Sequence, residues 1–296
     1  MTAIIAPKHP APRFLTNDDI INYVPAAGAL APVEKASSRY SFVPTTSVVD
    51  ALRDVGWFPI DARQSNPRLD TRQGFQQHLI RFARQEATDL NGERVDLLLW
   101  NSHDLGSAFK LFAGVWRFVC GNGLMVGSEL MNFRHKHVGF NMEELLGSAL
   151  KIANHAGVVA QQIDDMKTID MTPDEQGVYA MAAHNLVYRD QADQAPVTPD
   201  ALLHTRRYDD SQDHLWATFN VVQENIIKGG LRGSKVNEIG RRRKVTTRPV
   251  KALDRSVQLN QALWVLTEGM AAIKRGADPK TVLTGVFAEN HDEGEI

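Results

Sequence analysis

Cysteine occurs once in the 296 residues, at Cys120. That excludes an intrachain disulfide framework and a thiolate-rich zinc site within one chain. No apolar run approaches the ~18 residues of a membrane span. The opening stretch Met1 to Pro12 also lacks the continuous apolar segment of a secretory signal, so a cytoplasmic location without membrane contact is expected. Compositional bias is missing too: 43% hydrophobic and 23% charged residues exclude fibrous and fully disordered chains. Net charge is almost absent, at −2 from 33 basic and 35 acidic residues, which would argue against nucleic-acid binding if it were evenly spread.

It is not evenly spread. From Glu224 to Arg255 ten basic residues face three acids, a net of +7, whereas from Asp164 to Asp213 eleven acids face four bases, a net of −7. The two blocks nearly cancel and conceal a strongly polarised chain. The end of the chain, AENHDEGEI, adds four more acids and reads as a solvated tail.

Residues 1 to 40 carry Pro7, Pro10, Pro12, Pro25 and Pro32 without sustained periodicity and read as an irregular arm with a short helix at Asn17 to Tyr23. Thr45 to Gly56 places Val48, Val49, Leu52 and Val55 at helical spacing, with a Thr available as N-cap and Gly56 as the stop. Trp57 to Arg63 alternates as a half-buried strand, with Phe58, Ile60 and Ala62 on one side. Phe75 to Glu86 reads as a second strand, joined through Asn91-Gly92 to the apolar run from Val95. Val95 to Val126 is apolar on both faces and predicts central strands, with turns at Asn101 to Gly106 and Cys120 to Gly123.

Beyond His137 the period becomes helical. Helices are predicted over Met142 to Gln162, from the Thr172-Pro173-Asp174-Glu175 capping box, over Ser211 to Lys228 ending at Gly229-Gly230, and over Ser256 to Lys274. The segment Leu231 to Asp254 between the last two contains Pro249, has no amphipathic period, and predicts a long loop or β-ribbon. The expected fold is α+β: an antiparallel sheet in the N-terminal half packed by helices, then a mostly helical C-terminal half. Its expected organisation is an N-terminal arm at 1–40, one α+β domain at 41–276 with a basic insertion at 229–255, and an acidic tail at 277–296.

Several residues invite chemistry. His103, His135 and His137 beside Asp104 could be imagined on zinc, but nothing in the sequence makes them converge. The reading is a polar loop for His103 and solvated or nucleic-acid-facing imidazoles for the others, with no metal. Cys120, after Phe118 and Val119, reads as a small buried hydrophobe rather than a nucleophile. Gly229 to Lys235 follows a helix and lacks the strand-loop-helix order of a nucleotide loop, so no cofactor is expected. The adjacent acids Glu143-Glu144, Asp164-Asp165 and Asp209-Asp210 read as solvated surface. Trp57, Trp100, Phe109, Phe112 and Trp116 could stack on bases, yet fit a core better, Trp57 least well.

The basic segment stands out. Arg232, Lys235, Arg241, Arg242, Arg243, Lys244, Arg248 and Lys251 would neutralise phosphates, with Lys110 and Arg117 as lesser partners on the sheet. Thr246 and Thr247 add hydrogen-bond donors. An acidic protein surface, including the acidic middle of a second copy, is the competing partner for such a segment.

Four strings occur in order: Asn101-Ser102-His103-Asp104, Val119 to Leu124, Phe219 to Asn225 leading to Lys228-Gly229-Gly230, and Leu259 to Trp264. Together they resemble the phage/plasmid-like proteins classified as domain of unknown function 932, over roughly residues 40 to 275. The resemblance implies a mobile-element origin and supplies no activity. In organisation, a helix ending at Gly56-Trp57, successive antiparallel strands and a helix from Met142 are similar to the core of single-strand annealing recombination proteins, which assemble into rings or filaments on single-stranded DNA. The expectation is therefore a non-enzymatic, oligomeric DNA-binding protein, a single-strand binding or annealing factor in recombination. The alternative is an interaction protein whose basic loop docks on an acidic host surface.

Overall fold

A computed structural model describes residues 13–37, 39–66, 73–84, 93–117, 123–125, 132–135, 139–189, 195–236 and 239–282, with backbone alone at 93, 116, 117, 123–125, 132, 135, 209 and 253. The Asn91-Gly92 turn, Cys120, His137 and the tail beyond residue 282 lie outside them. The fold is α+β, and the chain clusters into two compact units, Met1–Gly157 and Val158–Ile296.

The first unit is built on an antiparallel meander. Strands β1 (Trp57–Gln64), β2 (His78–Arg84), β3 (Glu93–Asn101) and β4 (Phe109–Arg117) pair in sequence order. Two short strands, β5 (Gly123–Met125) and β6 (Asn132–His135), share the remaining edge of β4, opposite its two ends. Val95, Leu97, Leu98, Leu99, Phe109, Leu111, Phe112 and Ala113 are all buried, as expected of strands covered on both faces. Asp96 is buried among them, its carboxylate 2.6 Å from the Arg94 Nε and 3.2 Å from the Arg81 Nε. Burial raises the Asp96 pKa while the two arginines oppose that shift.

Helix α1 (Asn17–Tyr23) begins with a Thr16–Asp19 capping box. Helix α2 (Thr45–Asp54) delivers the chain to β1, and its N-cap is Pro44 rather than a threonine. In β1 Trp57 and Pro59 are the buried residues, not the expected Phe58, Ile60 and Ala62, and the register shifts between Pro59 and Asp61, beyond which no residue of the strand is buried. Trp57 is core after all, and so are Trp100, Phe109 and Phe112. Helix α3 (Met142–Lys167) runs one turn longer than its apolar stripe predicts and crosses the boundary between the units.

The second unit is helical around α5 (Leu215–Lys228). Helix α4 (Pro173–Tyr188) starts at the predicted capping box, with the Glu175 N–H donating to Thr172 Oγ1 at 3.3 Å and the Thr172 N–H donating to Glu175 Oε2 at 2.8 Å. Helix α5 starts four residues later than expected because Asp213 and His214 pair with the segment at Ile169–Met171, and His214 is the N-cap, its Nδ1 accepting from the Ala217 N–H. Every residue of α5 from Leu215 to Ile226 is buried. Its aromatic side chains stack, Trp216 on Phe219 at 5.1 Å, and Trp216 meets Trp264 of helix α6 (Leu253–Lys274) edge-on at 6.4 Å. Tyr179 of α4 shares a hydrogen bond of 2.8 Å with Thr267 of α6. Strands β7 (Arg232–Val236) and β8 (Arg242–Thr246) form a separate two-stranded antiparallel ribbon, which resolves the loop-or-ribbon alternative.

Candidate nucleic-acid interface

The ribbon begins where α5 stops. Gly229 has φ +60° and Gly230 φ +82°, a region closed to most side chains. A Cβ on Gly229 would also lie 2.6 Å from the carbonyl carbon of Arg248. Two glycines are therefore required for the chain to leave the helix and meet the returning strand. The root is tied by the Gly230 N–H to the Thr247 carbonyl at 2.8 Å, the Thr247 N–H to the Leu231 carbonyl at 2.9 Å, and the Leu231 N–H to Thr247 Oγ1 at 3.0 Å. Arg206 clamps it from the side, its Nε donating to Asn225 Oδ1 at 2.7 Å and its Nη2 to the Gly229 carbonyl.

The register pairs Ser234 with Lys244 and Lys235 with Arg243. Ser234 donates its N–H away from β8, to the Pro196 carbonyl at 2.8 Å. Ser234 and Lys244 are thus a non-hydrogen-bonded pair, and the N–H groups of Arg242, Lys244 and Thr246 point to the outer edge of β8. Side chains alternate: Arg232, Arg242 and Lys244 share one face with Ser234, while Lys235 and Arg243 share the other with Gly233.

All eight predicted contact residues of this segment, Arg232, Lys235, Arg241, Arg242, Arg243, Lys244, Arg248 and Lys251, are exposed. The other two bases of the +7 block are occupied. Lys228 pairs with Glu224 at 2.8 Å, and Arg255 donates to the carbonyls of Leu186 and Val187 at 3.3 and 3.4 Å. Lys110 is half-buried in β4 and already engaged, and Arg117 is the last residue of β4. Both belong to the first unit and the ribbon to the second.

Beneath the ribbon root lies a polar cluster, of which the sequence places only Asp210 on the surface. Glu224 is buried and takes both guanidinium nitrogens of Arg207, together with Lys228. Burial pushes its carboxyl up, but the hydrogen bonds and charges of the two cations outweigh that and hold it below the usual range. Asp210, expected in solvent with Asp209, is 4% exposed and lies 3.4 Å from the same arginine. Asn225 donates to the carbonyls of Leu202 and His204, and Gln223 to Asn260 Oδ1 at 2.8 Å. The available signal was the run of polar residues Asn220, Gln223, Glu224 and Asn225 on all sides of a helix with no solvent stripe.

A second polar cluster corrects the reading of His103. It is fully buried, and so is His78. Their Nε2 atoms stand 3.1 and 2.9 Å from the hydroxyl of Thr45, which also accepts from Asn101 Nδ2 at 3.0 Å. The backbone of His135 is placed in β6. Among the described residues no three His, Cys, Asp or Glu side chains gather in a way that could hold a metal ion, and no helix is long and apolar enough to cross a membrane.

Comparison with known proteins adds family membership. A family profile described as "Domain of unknown function (DUF932)" matches residues 32–264, a span holding the Thr45 cluster, the polar helix α5 and the whole ribbon. The chain is 34% identical over 259 residues to UPF0380 protein YafZ of Escherichia coli (strain K12), covering 87% of this chain and 92% of the relative. It is 35% identical over 257 residues to UPF0380 protein YfjQ of the same strain, covering 86% and 91%. No solved structure matches. With four-fifths of its length inside the profile and relatives aligned almost end to end, the chain belongs to the DUF932 family.

Proposed function

We propose that this is a mobile-element-encoded DNA-binding protein that holds single-stranded DNA without sequence preference, as an oligomeric binding or annealing factor in recombination rather than as an enzyme. The observation that carries the reading is the ribbon. Eight exposed cations sit on and beside two short strands. Arg232, Lys235, Arg242, Arg243, Lys244, Arg248 and Lys251 form no ion pair with any described residue. Cations left unneutralised at such density repel one another, and a phosphate backbone relieves that repulsion while releasing its own counterions. The outward N–H groups along β8 and the hydroxyls of Thr246 and Thr247 supply neutral donors for phosphate oxygens. The order of α2, the antiparallel strands and α3 in the first unit accords with the plan of annealing proteins.

Binding of a labelled oligo-dT as a function of salt tests the reading. The slope of log K against log salt is expected near −4 or steeper, and reversing Arg241 to Lys244 to glutamates should shallow it by about 3. Wild-type binding no stronger than to a neutral polymer at ~50 mM salt, or intact binding after the reversal, refutes it. Sizing with and without the oligonucleotide tests the oligomer, since an unchanged monomer counts against annealing. A protein partner captured from nuclease-treated lysate through the same four residues would favour docking on an acidic protein surface instead.

A further inference from the structure

Tyr208 is 91% exposed, and among the described Phe, Trp and Tyr residues of the second unit no other ring stands in solvent. Its backbone is nonetheless fixed. The 3-10 turn Tyr208–Asp210 closes through the Ser211 N–H and Ser211 Oγ, which donate to the Tyr208 carbonyl at 3.0 and 2.6 Å. On one side Arg207 is held by the buried Glu224, and on the other the buried Asp210 returns to Arg207. The ring is thus projected into water from a frame anchored to the core helix α5, with only two side-chain torsions left to order on binding.

Its position connects it to the cationic ribbon. Two residues before it, Arg206 donates to the carbonyl of Gly229 at the ribbon root, and two residues of chain span no more than about 7 Å. Gly229 in turn abuts the backbone of Arg248. Arg206, Tyr208 and Arg248 are all exposed, and the turn that carries Tyr208 is tied to the ribbon root through the buried backbone of Gly229. Of the two acids that follow Tyr208 in the turn, Asp210 is paired with Arg207 and buried.

Resting on the DNA-binding reading above, we propose that Tyr208 is the stacking platform of this surface: it takes the face of an unpaired base while the ribbon holds the adjoining phosphates. A ring face accepts any base, so the contact adds affinity without sequence preference. A base inside a duplex is already stacked on both sides and cannot use it, so Tyr208 would give the surface its preference for single strands.

The test uses the full chain with Tyr208→Ala, Tyr208→Trp and the four-residue reversal of Arg241 to Lys244, against labelled oligo-dT, an abasic oligonucleotide of equal length and a duplex. Tyr208→Ala should weaken oligo-dT binding by about tenfold. Its salt slope, its abasic and duplex binding and its thermal midpoint should stay at wild-type values, and Tyr208→Trp should retain full affinity. If Tyr208→Ala binds oligo-dT as wild type does while the reversal abolishes binding, the stacking role is overturned and the DNA-binding reading stands. An equal loss on oligo-dT and on the abasic strand also overturns it, because the contribution is then not to a base. If wild type itself fails to bind oligo-dT, the underlying reading has failed and this one with it.

Discussion

His78 and His103 address the same oxygen. Their rings lie 5.4 Å apart and both point Nε2 at the hydroxyl of Thr45. The surrounding bonds fix who donates. His78 Nδ1 faces the Gln76 carbonyl at 3.0 Å and so carries the proton, leaving Nε2 to accept. Asn101 Oδ1 accepts from the Ser102 N–H at 2.8 Å, so its Nδ2 is the group facing Thr45. The single Thr45 hydrogen then goes to His78, and its two lone pairs accept from Asn101 and from the His103 Nε2–H. The node is saturated only while His78 is neutral.

Acid should therefore loosen the first unit. Burial lowers the His78 pKa to about 4, against which the Gln76 carbonyl and the Asp104 charge act only partly. An unfolded histidine takes its proton near pH 6.5, so the unfolded state binds the proton first. Stability from this group is complete above pH 6.5, falls as pH drops toward 4 and is level below that. The total loss is about 3 kcal/mol. Urea titrations from pH 7.5 to 4 check this, and His78→Gln should flatten that part of the profile; an equal pH dependence in the variant refutes it.

Removing the hub should cost more than removing a spoke. Thr45→Val keeps the shape but strands three buried polar partners, and a loss of about 3 kcal/mol or more is expected. Thr45→Ser keeps the hydroxyl and should lose under about 1 kcal/mol. Chemical denaturation of the two variants at pH 7.5 measures the difference.

Thr45 also shows where sequence reading reaches and where it stops. Thr172 and Thr45 look alike as helix starts, and at Thr172 the capping box is real because its partner is three residues away. At Thr45 the partners His78, Asn101 and His103 are 33, 56 and 58 residues away, and only the folded sheet brings them together. The strands from Val95, the stop at Gly229-Gly230 and the cationic segment were legible because each is a local pattern. The burial of Asp210 and Glu224 was not, since a carboxylate beside other charges, like Asp210, or close to the helix end, like Glu224, looks solvated until tertiary packing seals it against Arg207.

That sealed pair should behave as a unit. Glu224 is 3% exposed, and Glu224→Gln or Arg207→Ala leaves the other charge partly uncompensated, at an expected cost of about 3–5 kcal/mol. Replacing both by Met should cost less than the sum of the singles, because neither partner of the pair is then left facing a missing charge, and the remaining cost includes buried Asp210, which also loses Arg207. A double-mutant cycle read by urea denaturation tests this, and additive losses would refute the coupling.

Placement of the ribbon can be separated from its charge through Gly233. A Cβ there would overlap the Pro196 carbonyl oxygen, the same atom that accepts the Ser234 N–H and fixes the free edge of β7. Gly233→Ala should therefore push the ribbon off residues 195–197 while every cation stays in the chain. Gly177, in mid-α4 with nothing within 4 Å of where an added methyl would sit, is the control: Gly177→Ala should gain about 0.5–1 kcal/mol and leave binding untouched. If oligo-dT affinity falls in Gly233→Ala with little change in far-ultraviolet circular dichroism, the phosphates are reading an ordered array. If affinity is unchanged, net charge alone suffices and the strand register has no part in recognition.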